Sequence, residues 1–263
     1  MQREQYDLLA HLEDTHWWFV ARRQILAAMV EELALPPRSV IVDIGCGAGG
    51  NLAQFAADNE CVGIDASEEA LSHARRRFPQ VSFLRAERPP DAPEVIQRAN
   101  LLMLNDVLEH VEYDRELLSS IVSLASPGAH LLITVPADMS LWGPHDVSHG
   151  HFRRYTPDQL AQLWEGLPVE TRLVSHFNTR LYPVIRAIRT LGRWRNRSFG
   201  SSNTDLRPAP RPINAMLTKL FAGEAARLRR ALRGNASAAY RYGVSLLAIL
   251  RVADDAAPAR STP

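Results

Sequence analysis

Only two cysteines, Cys46 and Cys61, occur in the 263 residues. One falls on a glycine-rich turn and the other on an expected buried strand. Neither reads as half of a structural disulfide, and a reducing compartment is expected. The stretch Met1-Gln2-Arg3-Glu4-Gln5 lacks the apolar core of a signal peptide. No run approaches the roughly 20 apolar residues of a membrane span, so the chain reads as cytoplasmic. Internal repeats are absent, and low complexity is confined to a Pro/Arg stretch near 207–212 and the tail after Asp254. What is present is 46% hydrophobic content, ample for the core of one folded unit of this length.

Charge is scarce in net terms, +1, but unevenly placed. From Arg180 to Arg233, twelve arginines and Lys219 stand against Asp205 and Glu224, which is +11 for the stretch and −10 for the remainder. Such segregation suits an anionic substrate, a phosphate-bearing lipid surface or the acidic half of the same protein; a solvated basic face is the plainer alternative.

Apolar periodicity predicts helices over 3–13 and 17–34, the second stopped by Pro36-Pro37. Strands and helices then alternate: strand 39–44, helix 49–58, strand 60–65, helix 67–77, strand 81–85, helix 91–98, strand 100–105, helix 113–124, strand 129–136. This spacing implies an α/β fold with a mostly parallel sheet covered on both faces. Beyond Pro136 come a polar loop, a helix opened by Thr156-Pro157-Asp158, a strand over 168–177, a helical basic insert and a last strand from Val244 to Val252. The expected organisation is a single domain over 1–263: a helical cap (1–36), a core (37–177), the insert (178–238), the last strand (239–253) and a disordered tail (254–263).

Residues Val40 to Gly49 carry the strongest functional signal. A β-branched run breaks into Gly45-Cys46-Gly47-Ala48-Gly49, glycines that permit positive φ and a close backbone approach, ahead of an expected helix N-terminus. Asp65 ends the next strand, placed to accept the hydroxyls of a ribose. Gly45, Gly47 and Gly50 also satisfy the GxGxxG spacing of dinucleotide enzymes. Asp43 opposes that reading, since an acid there repels a pyrophosphate but suits a ligand with an ammonium and a sulfonium. The segment resembles the first motif of the class I S-adenosylmethionine-dependent methyltransferases. The resemblance implies a Rossmann-like, seven-stranded sheet ending in an antiparallel hairpin, here split by the basic insert, which is expected to fold over the strand ends as a lid.

Further segments extend the resemblance. Asn105-Asp106-Val107-Leu108-Glu109-His110 matches the family's segment after the fourth strand, which flanks adenine and methionine. Arg85-Ala86-Glu87 lies where the family often contacts the base, without its usual acid. His16-Trp17-Trp18-Phe19 with Arg22 resembles one subgroup, as does His145-Asp146 through Gly150-His151-Phe152-Arg153-Arg154-Tyr155 with its HD…GH.RRY pattern. The implied cofactor is S-adenosylmethionine. Its expected contacts are Trp18, Arg22, Asp43, Gly45, Cys46, Gly47, Gly49, Asp65, Ala66, Ala86, Glu87, Asn105, Asp106, Val107 and His110, with Arg22 pairing with the cofactor's carboxylate.

The catalytic candidates are His145, His151 and Tyr155, with His145 the first choice of base and His151 the second. No metal is expected, because glycine breaks the loop's spacing and no cysteine cluster assists. Asp146 is expected to orient a histidine, while Arg153 or Arg154 engages an anion or the acidic main domain; a purely structural latch is the alternative. In the insert, Leu181, Val184, Ile185, Ile188, Leu191 and Trp194 alternate with arginines, and a second helix is expected from Ile213 to Leu232. Either packs on the domain or lies on an anionic membrane.

The expected reaction is direct methyl transfer to a small-molecule or lipid-linked, anionic acceptor; a carboxylate acceptor needs no base. Nucleic acid is not expected as a partner. Alternatives are S-adenosylmethionine chemistry at the aminobutyryl carbon, a nicotinamide-dependent oxidoreductase, and a non-catalytic RNA- or membrane-binding module.

Overall fold

The computed structural model describes residues 12–88, 91–194 and 209–254, with backbone alone for 192–194. Most of the expected 3–13 helix and of the 254–263 tail lies outside the described residues. Seven strands form one sheet: β1 (Val40–Ile44), β2 (Glu60–Asp65), β3 (Ser82–Arg85), β4 (Leu101–Asn105), β5 (His130–Pro136), β6 (Val169–Phe177) and β7 (Ser245–Val252). Their spatial order is β3-β2-β1-β4-β5-β7-β6. β1 to β5 pair in parallel, whereas β7 runs antiparallel to both β5 and β6.

The central strands are almost wholly apolar because a parallel sheet is covered on both faces. Alternate residues serve opposite layers. Leu101 and Met103 meet α1 (Trp17–Glu32) through a cluster containing Ile25 and Met29. Leu102 and Leu104 join Ile96, Leu118, Ile121 and Leu160. Those four residues belong to α3 (Pro93–Arg98), α4 (Asp114–Leu124) and α6 (Pro157–Gln162). α2 (Glu68–Arg77) starts as its sequence dictates: the Ser67 hydroxyl caps Ala70 N at 3.2 Å, and Glu68 and Glu69 complement the helix dipole. α5 (Pro144–Ser148) lies in the loop after β5.

Three expectations are corrected. The helix expected over 49–58 is a series of turns around a single 3₁₀ turn, Ala53–Phe55. Gly49 takes φ +79°, which no right-handed helix accommodates, and Gly50 and Asn51 are weak helix formers. The anion-binding helix end expected there is therefore absent.

The segment 213–232 is not one helix. α8 (Arg211–Ala222) and α9 (Ala225–Leu232) break at Gly223-Glu224. The buried Glu224 carboxylate accepts the amides of Thr179 and Arg180, both at 2.8 Å, and pins the break to the corner after β6.

The lid over the strand ends is also not what α8 and α9 form. Phe221 and Leu228 belong to the core cluster of α1, with Leu247 and Ile249 of β7. Phe221 sits between Trp17 and Phe177, its ring 6.2 and 5.9 Å from theirs. Among the described residues of the insert, α7 (Tyr182–Trp194) approaches the loop after β5, through Tyr182 to Asp138 at 2.6 Å and Arg189 to the Leu141 carbonyl. Among the described residues, no helix is long and apolar enough to cross a membrane.

Candidate functional site

The parallel register brings the ends of β3, β2, β1 and β4 side by side, and the loops that follow them carry nearly all the expected cofactor residues. After β1, Gly45, Gly47 and Gly49 all take positive φ, +73°, +54° and +79°. Gly45 has no room for a side chain either: a Cβ there would stand 2.6 Å from Cγ2 of Val107. The loop is pulled towards β2, since the amides of Gly45 and Cys46 both donate to the Ile64 carbonyl, at 2.8 and 3.1 Å. Asp65 completes the tie, its two carboxylate oxygens accepting Gly47 N and Ser67 N at 2.8 Å each. Each oxygen retains a second lone pair. Ala66 and Glu87 are exposed beside it, and the Ala86 amide is spent on the Asp65 carbonyl at 3.2 Å. Burial pushes the Cys46 thiol far up, so it is a packing group rather than a nucleophile.

Behind this loop lies a buried polar chain. Asp43, 1% exposed, accepts from Asn105 Nδ2 at 3.2 Å. Burial pushes its carboxyl up to about 7, against the pull of that hydrogen bond and of Arg22. Arg22 was expected to meet the cofactor's carboxylate; instead it is 4% exposed, paired with Asp106 at 2.8 Å and donating to Thr134 Oγ1 at 2.7 Å. Its guanidinium also lies 5.0 Å from the centre of the Trp18 ring. A charge held this way positions Asp106, whose backbone is strained at φ +56°.

The loop after β5 is organised by Asp146, which is fully buried. Arg154 grips it with a two-point fork, Nε to Oδ1 at 2.9 Å and NH2 to Oδ2 at 3.1 Å. The Gly143 amide at 2.9 Å and His151 Nδ1 at 3.0 Å complete its shell. Burial alone would raise the Asp146 carboxyl, but these donors hold it well below the carboxylate range. The expectation that Asp146 orients a histidine is met in His151, and Arg154 engages Asp146 itself rather than a distant anion. Arg153 pairs with Asp114 at 2.6 Å.

The surroundings of two catalytic candidates weigh against their acting as bases. Tyr155, 2% exposed, spends its hydroxyl on Asp114 at 2.7 Å, and burial and that carboxylate push it far up. It latches the loop. Burial and His149 depress His145 to about 3, so it is a feeble base at neutral pH.

The juxtaposition missed by local spacing lies between distant segments. Phe152 N donates to the Glu109 carbonyl at 2.7 Å, which brings His151 against the single turn Leu108–His110. The rings of His110 and His151 meet edge to face with centroids 4.6 Å apart. Glu109, 1% exposed, is raised well above the carboxylate range by burial and by Asp106. A cavity of about 390 Å³ opens elsewhere, at the amino ends of the strands beside Leu33, Asn100 and His130. It lacks a constellation of this kind.

Known proteins resemble the chain at this level. Trans-aconitate 2-methyltransferase of Methylobacterium nodulans is 31% identical over 148 residues, 54% of each chain. The chain spans about half the length of such curated relatives. Among solved structures, the [4+2]-cyclase SpnF superposes with a TM-score of 0.53 at 15% identity, covering 89% of this chain and 80% of that one. The plantazolicin methyltransferase BamL, in complex with a triazolic desmethylPZN analogue and SAH, gives a TM-score of 0.51 at 15% identity, covering 89% and 86%. These likenesses concern the fold. Residues 18–167, more than half of the chain and including every loop of the site, match the methyltransferase domain, and the chain belongs to that family.

Proposed function

We propose that the chain is an S-adenosylmethionine-dependent methyltransferase whose acceptor is a small molecule bearing a carboxylate. The observation that carries the reading is the cradle formed by Gly45, Gly47 and Asp65. Its backbone is bare where a Cβ would collide with Val107, and its carboxylate keeps free lone pairs at the end of β2. Those features fit an adenosyl ribose: Asp65 accepts its hydroxyls, while Ala66, Ala86 and Glu87 border the base. The buried Asp43, with Asn105 beside it, puts negative potential behind the loop and favours a cationic ligand over a diphosphate. S-adenosylmethionine supplies an activated methyl group there; the chain's residues orient the acceptor and exclude water.

A carboxylate acceptor accords with the side chains on the acceptor side. His145 is too weakly basic and Tyr155 too firmly engaged to deprotonate a hydroxyl, which leaves His151, aimed by Asp146, as the one candidate base, and an ionised carboxylate requires none. The trans-aconitate relatives support the same class, and Arg189 on α7 brings positive charge to the loop. A lipid-linked acceptor is the second reading, favoured by Val184, Ile188 and Leu191, which are exposed on α7 beside Arg186.

Calorimetry with S-adenosylhomocysteine tests the cofactor. One site is expected, weakened roughly 10- to 100-fold by Asp65→Asn, the worth of one charge-assisted hydrogen bond. Binding of a nicotinamide dinucleotide instead would overturn the reading. Labelled-methyl transfer to a panel of di- and tricarboxylates, set against lipid-linked acceptors, decides the acceptor.

A further inference from the structure

We propose that Glu109, His110 and His151 form a binding site for one divalent transition-metal ion at the carboxyl edge of the sheet. Each residue offers one ligand atom, and the three atoms lie within 4.8 Å of one another. Tetrahedral zinc with bonds of about 2.0–2.1 Å needs ligands about 3.3 Å apart. The backbone of the two segments is already joined by Phe152 N to the Glu109 carbonyl at 2.7 Å, so the contraction asks only for rotation of the Glu109 and His110 side chains towards His151.

Three observations point to an ion. The first is Glu109 itself. Its side chain is buried, and neither carboxylate oxygen meets a hydrogen-bond donor from elsewhere in the described chain. A buried carboxyl group whose oxygens meet no partner is costly, and a metal ion would supply one. The second is the state of the imidazoles. His151 holds Asp146 Oδ1 through Nδ1 at 3.0 Å, and His110 donates to the His149 carbonyl. An acceptor on one ring nitrogen fixes the tautomer and leaves the other nitrogen with its lone pair, the arrangement common to metal-binding histidines. The third is the outer support. Asp146 is gripped by Arg154 and by the Gly143 amide, so the carboxylate that aims His151 is itself immobile.

Two imidazoles and one carboxylate leave coordination positions open and select borderline metals such as Zn²⁺, Mn²⁺ or Fe²⁺ over Mg²⁺ or Ca²⁺, which prefer all-oxygen sites. The site does not depend on the methyltransferase reading: ion binding is measured without cofactor or turnover, so the two ideas fail separately.

The test uses the full chain, untagged, stripped with a chelator and titrated with ZnCl₂ and MnCl₂ by calorimetry, with bound metal counted by elemental mass spectrometry. One ion per chain is expected. Glu109→Gln and His151→Asn should each weaken it at least tenfold, whereas His149→Ala, which keeps the backbone carbonyl, should leave it unchanged. Circular dichroism establishes that each variant is folded. As a second measurement, Co²⁺ should give tetrahedral ligand-field absorption in the native chain and lose it in His110→Ala, a substitution of an exposed residue. Failure to bind either ion at 100-fold molar excess overturns the proposal, as does binding that survives both Glu109→Gln and His151→Asn.

Discussion

Asp146→Asn tests whether the loop after β5 is held by one buried charge. The native carboxylate is fully buried and receives the Arg154 fork, His151 and the Gly143 amide. An asparagine of the same shape presents an NH₂ where one of those donors points, and leaves Arg154, itself 4% exposed, without a counter-charge. Removing one partner of a buried ion pair costs about 3–5 kcal/mol. For a chain of this size each kcal/mol moves Tm by about 2–4 °C, so a fall on the order of 10 °C is expected at pH 7. The pH dependence follows from the depressed folded-state pKa. The pair's contribution is present above the unfolded value of 3.8 and disappears as pH falls through the lower folded value. Differential scanning calorimetry of both proteins should therefore converge as pH drops below about 4. Asp146→Asn combined with Arg154→Met should recover part of the loss, since the stranded charge goes too. A single variant melting within about 2 °C of the native chain at pH 7 would refute the reasoning.

Further outcomes follow from the same geometry. Asp43, raised to about 7 by burial, is largely protonated below that pH. A ligand carrying an ammonium and a sulfonium favours its ionised form, so binding should release a proton and tighten by up to about tenfold per pH unit between about 5 and 7. Asp43→Asn should flatten the calorimetric profile, and an unchanged slope would exonerate the residue. Gly45→Ala should lower Tm twice over, by about 1 kcal/mol or more for left-handed backbone and again for the contact with Val107. Adding Val107→Ala should restore only the second part. Phe221→Ala should cost about 3–5 kcal/mol in urea unfolding, because the ring is fully buried between Trp17 and Phe177. An unaffected midpoint would mean that the insert is an appendage rather than part of the core.

Much of the sheet was legible because its signal is local. Runs such as Leu101 to Asn105 are apolar throughout and bounded by polar turns, so each strand falls within a residue or two of its expected place. The helix opening at Thr156-Pro157-Asp158 was legible for the same reason, and the structure adds that Thr156 and Gln159 exchange side-chain and backbone bonds. Local propensity misled at 49–58, where the glycines that make the cradle also deny the helix. It misled again at Glu224, whose buried carboxylate breaks a helix for the sake of a corner 45 residues away in sequence.

The site itself divides along the same line. Gly45, Gly47 and Asp65 are close in sequence and were recognisable as a motif. Glu109, His110 and His151 were not, because two loops separated in the chain meet only when β4 and β5 pair in register, Asn105 against Thr134. The uneven charge of the insert was readable as a number but not as a contact. Arg229 now stands against Glu31 and Arg233 against Glu32, so part of that positive charge faces the two glutamates that end α1. Arg186 and Arg189 lie instead beside the loop after β5. Among the described residues, the fold thus divides the basic stretch into a part that fastens the insert and a part that lies against the loop after β5. Charge reversal on α9 should act on stability, whereas reversal on α7 should act on the acceptor's KM.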